Sequence, residues 1–93
     1  MHDWSLISIA VDWKSGTAQL ELQGPVQPAS LRCFNVRGLR VPRTMPWGPS
    51  NLIMQMHEPV RRENNVFELS IEMQSGDVIV IAAEAFDLPS SQR

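Results

Sequence analysis

Apolar and polar side chains alternate along most of this chain, and the alternation has a period of two. Ile7, Ile9, Val11 and Trp13 share one face of a first predicted strand, with Ser8, Ala10 and Asp12 on the other. The turn Lys14-Ser15-Gly16-Thr17 follows, and then Ala18, Leu20 and Leu22 alternate with Thr17, Gln19 and Glu21, so the first two strands form a hairpin. A second hairpin is equally plain. Phe67, Leu69, Ile71 and Met73 alternate with Glu68, Ser70 and Glu72, the turn is Gln74-Ser75-Gly76-Asp77, and the run from Val78 to Ala83 is apolar on both faces. A strand apolar on both faces belongs in the centre of a sheet.

Between the hairpins the pattern is less regular. Two prolines and a glycine in "GPVQPAS" predict a loop, because proline donates no ladder hydrogen bond. A third strand is expected around Leu31 to Val36, a break at Gly38, and a short fourth strand around Leu39 to Val41. Residues 51–58 contain good helix formers, with Ser50 or Asn51 able to cap a turn, but their spacing favours a strand with Leu52, Met54 and Met56 inward. The expected fold is all-β, a small antiparallel sandwich or barrel-like sheet of about six or seven short strands. Residues 1–88 are expected to form one domain, with 89–93 a frayed tail.

Composition narrows the function classes. The chain has 93 residues, 43% hydrophobic and 19% charged, which suits one folded domain and excludes a disordered polyelectrolyte. A net charge of −2 supplies no long-range field toward nucleic acid or anionic lipid. The longest uninterrupted apolar run is far too short to span a bilayer. Cys33 has no second cysteine to pair with, and the start carries Asp3 and Asp12 in place of a basic leader, so a cytoplasmic protein is expected.

The segments "HDWSLISIAVDWKSGTAQLEL", "LRVPRTMPWGPS" and "IEMQSGDVIVIAA" resemble a family of small uncharacterised bacterial proteins. Nearly the whole chain is covered, and Pro46-Trp47-Gly48-Pro49-Ser50 beside His2-Asp3-Trp4 is the most specific part. The resemblance implies a compact all-β fold with no assigned activity. The His-Asp pair before an apolar strand is also similar to the start of some bacterial immunity proteins, which would imply an inhibitor of a toxin. The run "NLIMQM" at 51–56 departs from the small and polar residues expected after "WGPS".

Several groups are candidates for chemistry. Trp47 stands between Pro46 and Gly48-Pro49, so it projects from a stiff loop either as a docking anchor or as a cover for the open end of the sheet. Met54 and Met56 add adaptable apolar surface; on an edge strand they would pair with a second copy, and on an inward face they would fill the core. Arg40 and Arg43 belong, with Arg32 and Arg37, to a stretch free of acids that precedes Trp47. Those arginines suit either a single-stranded nucleic acid or cross-strand pairing with Glu68 or Glu72, and the overall charge favours the latter.

His2 and Asp3 form a polar pair that with Ser50 would make a hydrolytic or ligand-binding site, or would simply fix the chain start. No G-x-S-x-G elbow supports hydrolysis, and Cys33 beside Phe34 reads as a buried thiol. His2, Asp3, His57 and Glu58 lack metal-ligand spacing, so no metal and no cofactor is expected. The reading that results is a non-enzymatic protein-interaction module, with a homodimer or another protein as partner. Its expected surface comprises Pro46, Trp47, Gly48, Pro49, Met54, Met56, Arg40 and Arg43.

Overall fold

The computed structural model describes residues 4–44 and 51–89, in which all regular structure is β. There are seven strands: β1 (Trp4–Asp12), β2 (Thr17–Gln23), β3 (Pro28–Arg40), β4 (Leu52–Met56), β5 (Val60–Arg61), β6 (Phe67–Met73) and β7 (Val78–Asp87). Their order is β4-β1-β2-β3-β7-β6-β5, every pair is antiparallel, and a further pairing of β4 with β6 closes a six-stranded barrel. The short β5 lies along β6 beyond β4. This is the all-β, barrel-like architecture that the alternation predicts.

The turns follow from their residues. Asp12 Oδ1 accepts the backbone N–H of Lys14 at 3.1 Å and of Ser15 at 3.3 Å, and Gly16, at φ 72°, donates to the Asp12 carbonyl at 3.0 Å. In the β6–β7 turn Gly76 has φ 100° and donates to the Met73 carbonyl at 2.9 Å. Strand β7 sits between β3 and β6, the central place expected of a strand apolar on both faces.

Three irregularities depart from simple alternation, and each is a bulge that the pattern alone hides. In β1 the register slips between Leu6 and Ser8. Trp4 is buried, Leu6 packs against the core before the slip and Ile9, opposite buried Leu20, after it, while Ile7 and Val11 are exposed, so of the face assigned to Ile7, Ile9, Val11 and Trp13 only Ile9 meets the core. In β3 the strand begins at Pro28, where a first-position proline costs no ladder bond, and runs on through Gly38 to Arg40. The expected break at Gly38 is a register slip between Val36 and Gly38, so one long strand replaces two short ones. In β4 the slip between Ile53 and Gln55 turns Ile53 and Met56 toward the core and leaves Leu52 and Met54 exposed. The inward set is therefore not Leu52, Met54 and Met56.

The core is aliphatic. Leu20 and Leu22 of β2, Leu31 of β3, Leu69 of β6 and Ile79 and Ile81 of β7 are buried across the barrel from one another. Trp4 closes it at the turn after β2, where a Cβ on Gly24 would lie 3.1 Å from two indole carbons and 2.9 Å from the Gln27 carbonyl oxygen. Cys33 is fully buried, and loss of solvation pushes its thiol up to about 11, which keeps it protonated and inert.

Candidate interaction surface

The three tryptophans have different fates. Trp4 is a core residue, Trp47 lies outside the described residues, and Trp13 is 94% exposed in the β1–β2 turn. A tryptophan this open is unusual, because the indole ordinarily buries most of its surface. It is not isolated, since Ile7 is 60% and Val11 50% exposed on the strand that leads to it.

The pairing of β1 explains this exposure. On one side β1 pairs with β2 from Ser5 to Asp12. On the other, β4 covers only Trp4 and Ser5, with one further hydrogen bond from the Leu6 N–H to the Asn51 carbonyl at 2.8 Å. Among the described residues, Ile7 to Asp12 have no strand on that second edge. Every second backbone N–H and C=O there faces away from β2, in a segment whose one charged side chain is Asp12.

A cavity of about 360 Å³ borders the same edge, lined by Leu6, Ile9, Val41, Pro42, Met73 and Ile79. At its polar end Asp77 is buried, with Oδ1 accepting the Thr44 hydroxyl at 3.0 Å and Oδ2 accepting the Ser75 hydroxyl at 2.9 Å. Burial acts to raise this carboxyl's pKa, but the hydrogen bonds from Ser75 and Thr44, helped by the charge of Arg43, outweigh it and the pKa is lowered. Both oxygens are engaged within the protein, so Asp77 ties the segment after β3 to the β6–β7 turn and does not present a free charge to the cavity.

A group whose pKa falls on folding adds stability that is fully present above its unfolded value, about 3.9, and is lost as pH falls through the folded value. Wild type is therefore expected to lose denaturant resistance between pH 5 and pH 3. Asp77→Asn is expected to be less stable at pH 7 and to lose less over that interval. Urea midpoints at the two pH values check this, and equal acid slopes in the two proteins would contradict it.

The expected surface residues do not converge. Pro46, Trp47, Gly48 and Pro49, like His2, Asp3 and Ser50, lie outside the described residues. Met54 is exposed on β4 and Arg40 is exposed on β3. Those strands are three places apart whichever way the closed ring is followed, so the two residues occupy opposite walls. Met56 is half-buried against the core. Strand β4 is paired with both β1 and β6, so it is not the edge strand through which Met54 and Met56 would meet a second copy. Among the described residues the long stretch without a second neighbour is on β1, which pattern reading missed because alternation does not reveal how far a pairing extends.

Arg32, Arg37, Arg40 and Arg43 are all exposed, the first three on the one long strand β3. Acids accompany them. Arg37 pairs with Glu84, Arg32 lies opposite Asp87 and within the field of Glu21, and Arg43 lies near Asp77. Glu68 takes Arg62 at 2.8 Å, and Glu72 stands 3.8 Å from His57. Among the described residues no group of three histidine, cysteine or acidic side chains is arranged to hold a metal.

No protein-family model and no curated protein matches the sequence. Among solved structures the chain is similar to an uncharacterized protein from Neisseria gonorrhoeae, at 18% identity and a TM-score of 0.62, over 94% of this chain and 90% of that one. At this identity the likeness extends to the fold alone, and it is an all-β barrel-like fold over nearly the full length of both chains.

Proposed function

We propose that this chain is a non-enzymatic protein-interaction module that docks a partner through the exposed apolar side chains of β1 and the turn after it. The observation that carries the reading is the exposure of three large apolar side chains close together in the chain, Ile7, Val11 and Trp13. Burial of these apolar side chains against a partner would supply affinity. Trp13 is a rigid, large anchor at one end, the kind of residue that carries a disproportionate share of binding energy. The inert Cys33 and the internally satisfied Asp77 offer no reactive group nearby.

The test is quantitative capture from host-cell lysate with wild type, Val11→Lys and Val78→Lys as baits. Val78 is exposed at the start of β7, away from the β1 edge, so its replacement controls for charge alone. A partner retained by wild type and Val78→Lys, and reduced about fivefold or more by Val11→Lys, supports the exposed apolar side chains of β1 as the docking site. Equal recovery by all three folded baits would remove it.

A further inference from the structure

We propose that the open cleft between the β1–β2 turn and the bulge of β3 binds a neutral, gluco-configured oligosaccharide. The cleft has a volume of about 430 Å³ and is lined by Trp13, Lys14 and Ser15 of the turn, Asn35 and Arg37 of β3, and Glu84 of β7. This site goes beyond the docking reading above and shares only Trp13 with it.

Two backbone features build the cleft. Val36 lies opposite Ala83 and Gly38 opposite Ala82, so Arg37 is the extra residue of the bulge, and the bulge re-aims its side chain. Asn35 has φ 53° inside a strand, a conformation that costs energy in any residue with a Cβ. Asn64 and Asn65 also have positive φ, but they sit in the tight turn between β5 and β6, which accounts for it. At Asn35 no turn does. The β1–β2 turn is pinned to the same place, the Val36 N–H donating to the Gly16 carbonyl at 2.8 Å. Trp13, 94% exposed, therefore stands on a fixed turn beside a strained stretch of strand, and strain held in this way clusters at ligand sites.

The charges in the cleft select the class of ligand. Arg37 pairs with Glu84, which also accepts the Asn35 Nδ2–H at 3.4 Å, and Lys14 stands in the same turn as Asp12. No excess of positive charge is left to hold a phosphate backbone. An apolar ligand would strip water from Asn35, Arg37 and Glu84 and return no hydrogen bond. A neutral molecule rich in hydroxyls satisfies both conditions, and among the described residues Asn35 Oδ1 and the Lys14 ammonium are left to accept from and donate to it. A gluco-configured ring carries its hydroxyls equatorially, so its faces are C–H surfaces. One face stacks on the Trp13 indole while the hydroxyls, in the plane of the ring, reach the polar side chains around it. The volume lies within the range of small-molecule sites, about 300–1,000 Å³.

The test is an NMR titration with cellotriose, followed at the tryptophan indole N–H signals, the Trp13 signal being assigned by its loss in Trp13→Ala. The Trp13 signal is expected to shift saturably, with Kd about 1 mM, while that of buried Trp4 stays in place. Asn35→Gly accepts the positive φ and removes only the side-chain amide, so it stays folded and is expected to weaken binding about fivefold or more. No saturable shift of Trp13 overturns the proposal, as does a shift indifferent to Asn35→Gly. A shift given by oligothymidylate and not by cellotriose overturns it in favour of single-stranded nucleic acid. The two readings fail separately: a lysate partner lost on Val11→Lys and kept by Asn35→Gly upholds the docking surface without the cleft, and cellotriose binding kept by Val11→Lys upholds the cleft without the docking surface.

Discussion

Trp4→Ala is expected to lower the stability of this domain by about 3–5 kcal/mol, the range for removing a buried aromatic. The cost has two parts, the transfer free energy of the indole and the void left behind. The void would persist because of what lies beneath the ring. Gly24 packs against the indole at a spacing that leaves no room for a methyl group. That glycine is held in a tight turn, its N–H donating to the Gln27 carbonyl at 3.0 Å. A backbone turn fixed in this way does not move in to fill the space, so relaxation recovers little of the loss. A domain of this size has about 5–14 kcal/mol in total, so the variant stands near the edge of folding. Urea unfolding at neutral pH checks it, with the midpoint expected to fall by about 2 M. Trp13→Ala is the natural comparison, because an indole in water has little to lose and the change is expected to stay within about 0.5 kcal/mol. A loss below 1 kcal/mol for Trp4→Ala would show that the ring does not seal the barrel.

Ile81→Ala is expected to cost about 2–5 kcal/mol, by a different route. Ile81 is fully buried in the middle of β7, with Leu39 of β3 opposite on one side and Leu69 of β6 on the other. Strands β3 and β6 are tied to it by ladder hydrogen bonds along their length, so neither wall can close on the missing atoms. Ile81→Val, which removes one methylene, is expected to cost about 0.5–1.5 kcal/mol. The ratio of the two losses, measured from equilibrium unfolding at constant m-value, tests whether the site is rigidly packed. Similar small losses for both would mean that the barrel collapses around the gap.

The two predictions differ in how readable they were. The place of Ile81 follows from the sequence, because an uninterrupted apolar run between a glycine turn and an acid specifies a strand covered on both sides. The role of Trp4 does not. Nothing local says that the indole at the start of β1 meets a glycine twenty residues later, and the tryptophan that pattern reading weighed as a cover is Trp47. The candidate surface was less legible again. Met54 and Arg40 look like neighbours in a short central segment, yet the ring places their strands on opposite walls.

The sequence by itself determined the two hairpins, their turns and the central place of β7. Those features rest on short-range causes: the two-residue repeat of side-chain direction, glycines at positive φ at Gly16 and Gly76, and an aspartate that caps the first turn. Only the tertiary structure decided the rest. Each bulge, at Ile7, near Arg37 and at Met54, reverses which alternate residues face inward, and a bulge is set by the partner strand across the ladder. Closure of β4 on β6, and the pairing of β4 with the start of β1, depend on pairings between segments far apart in the chain. Such pairings are selected by the summed burial of the whole barrel, which no single stretch of sequence contains.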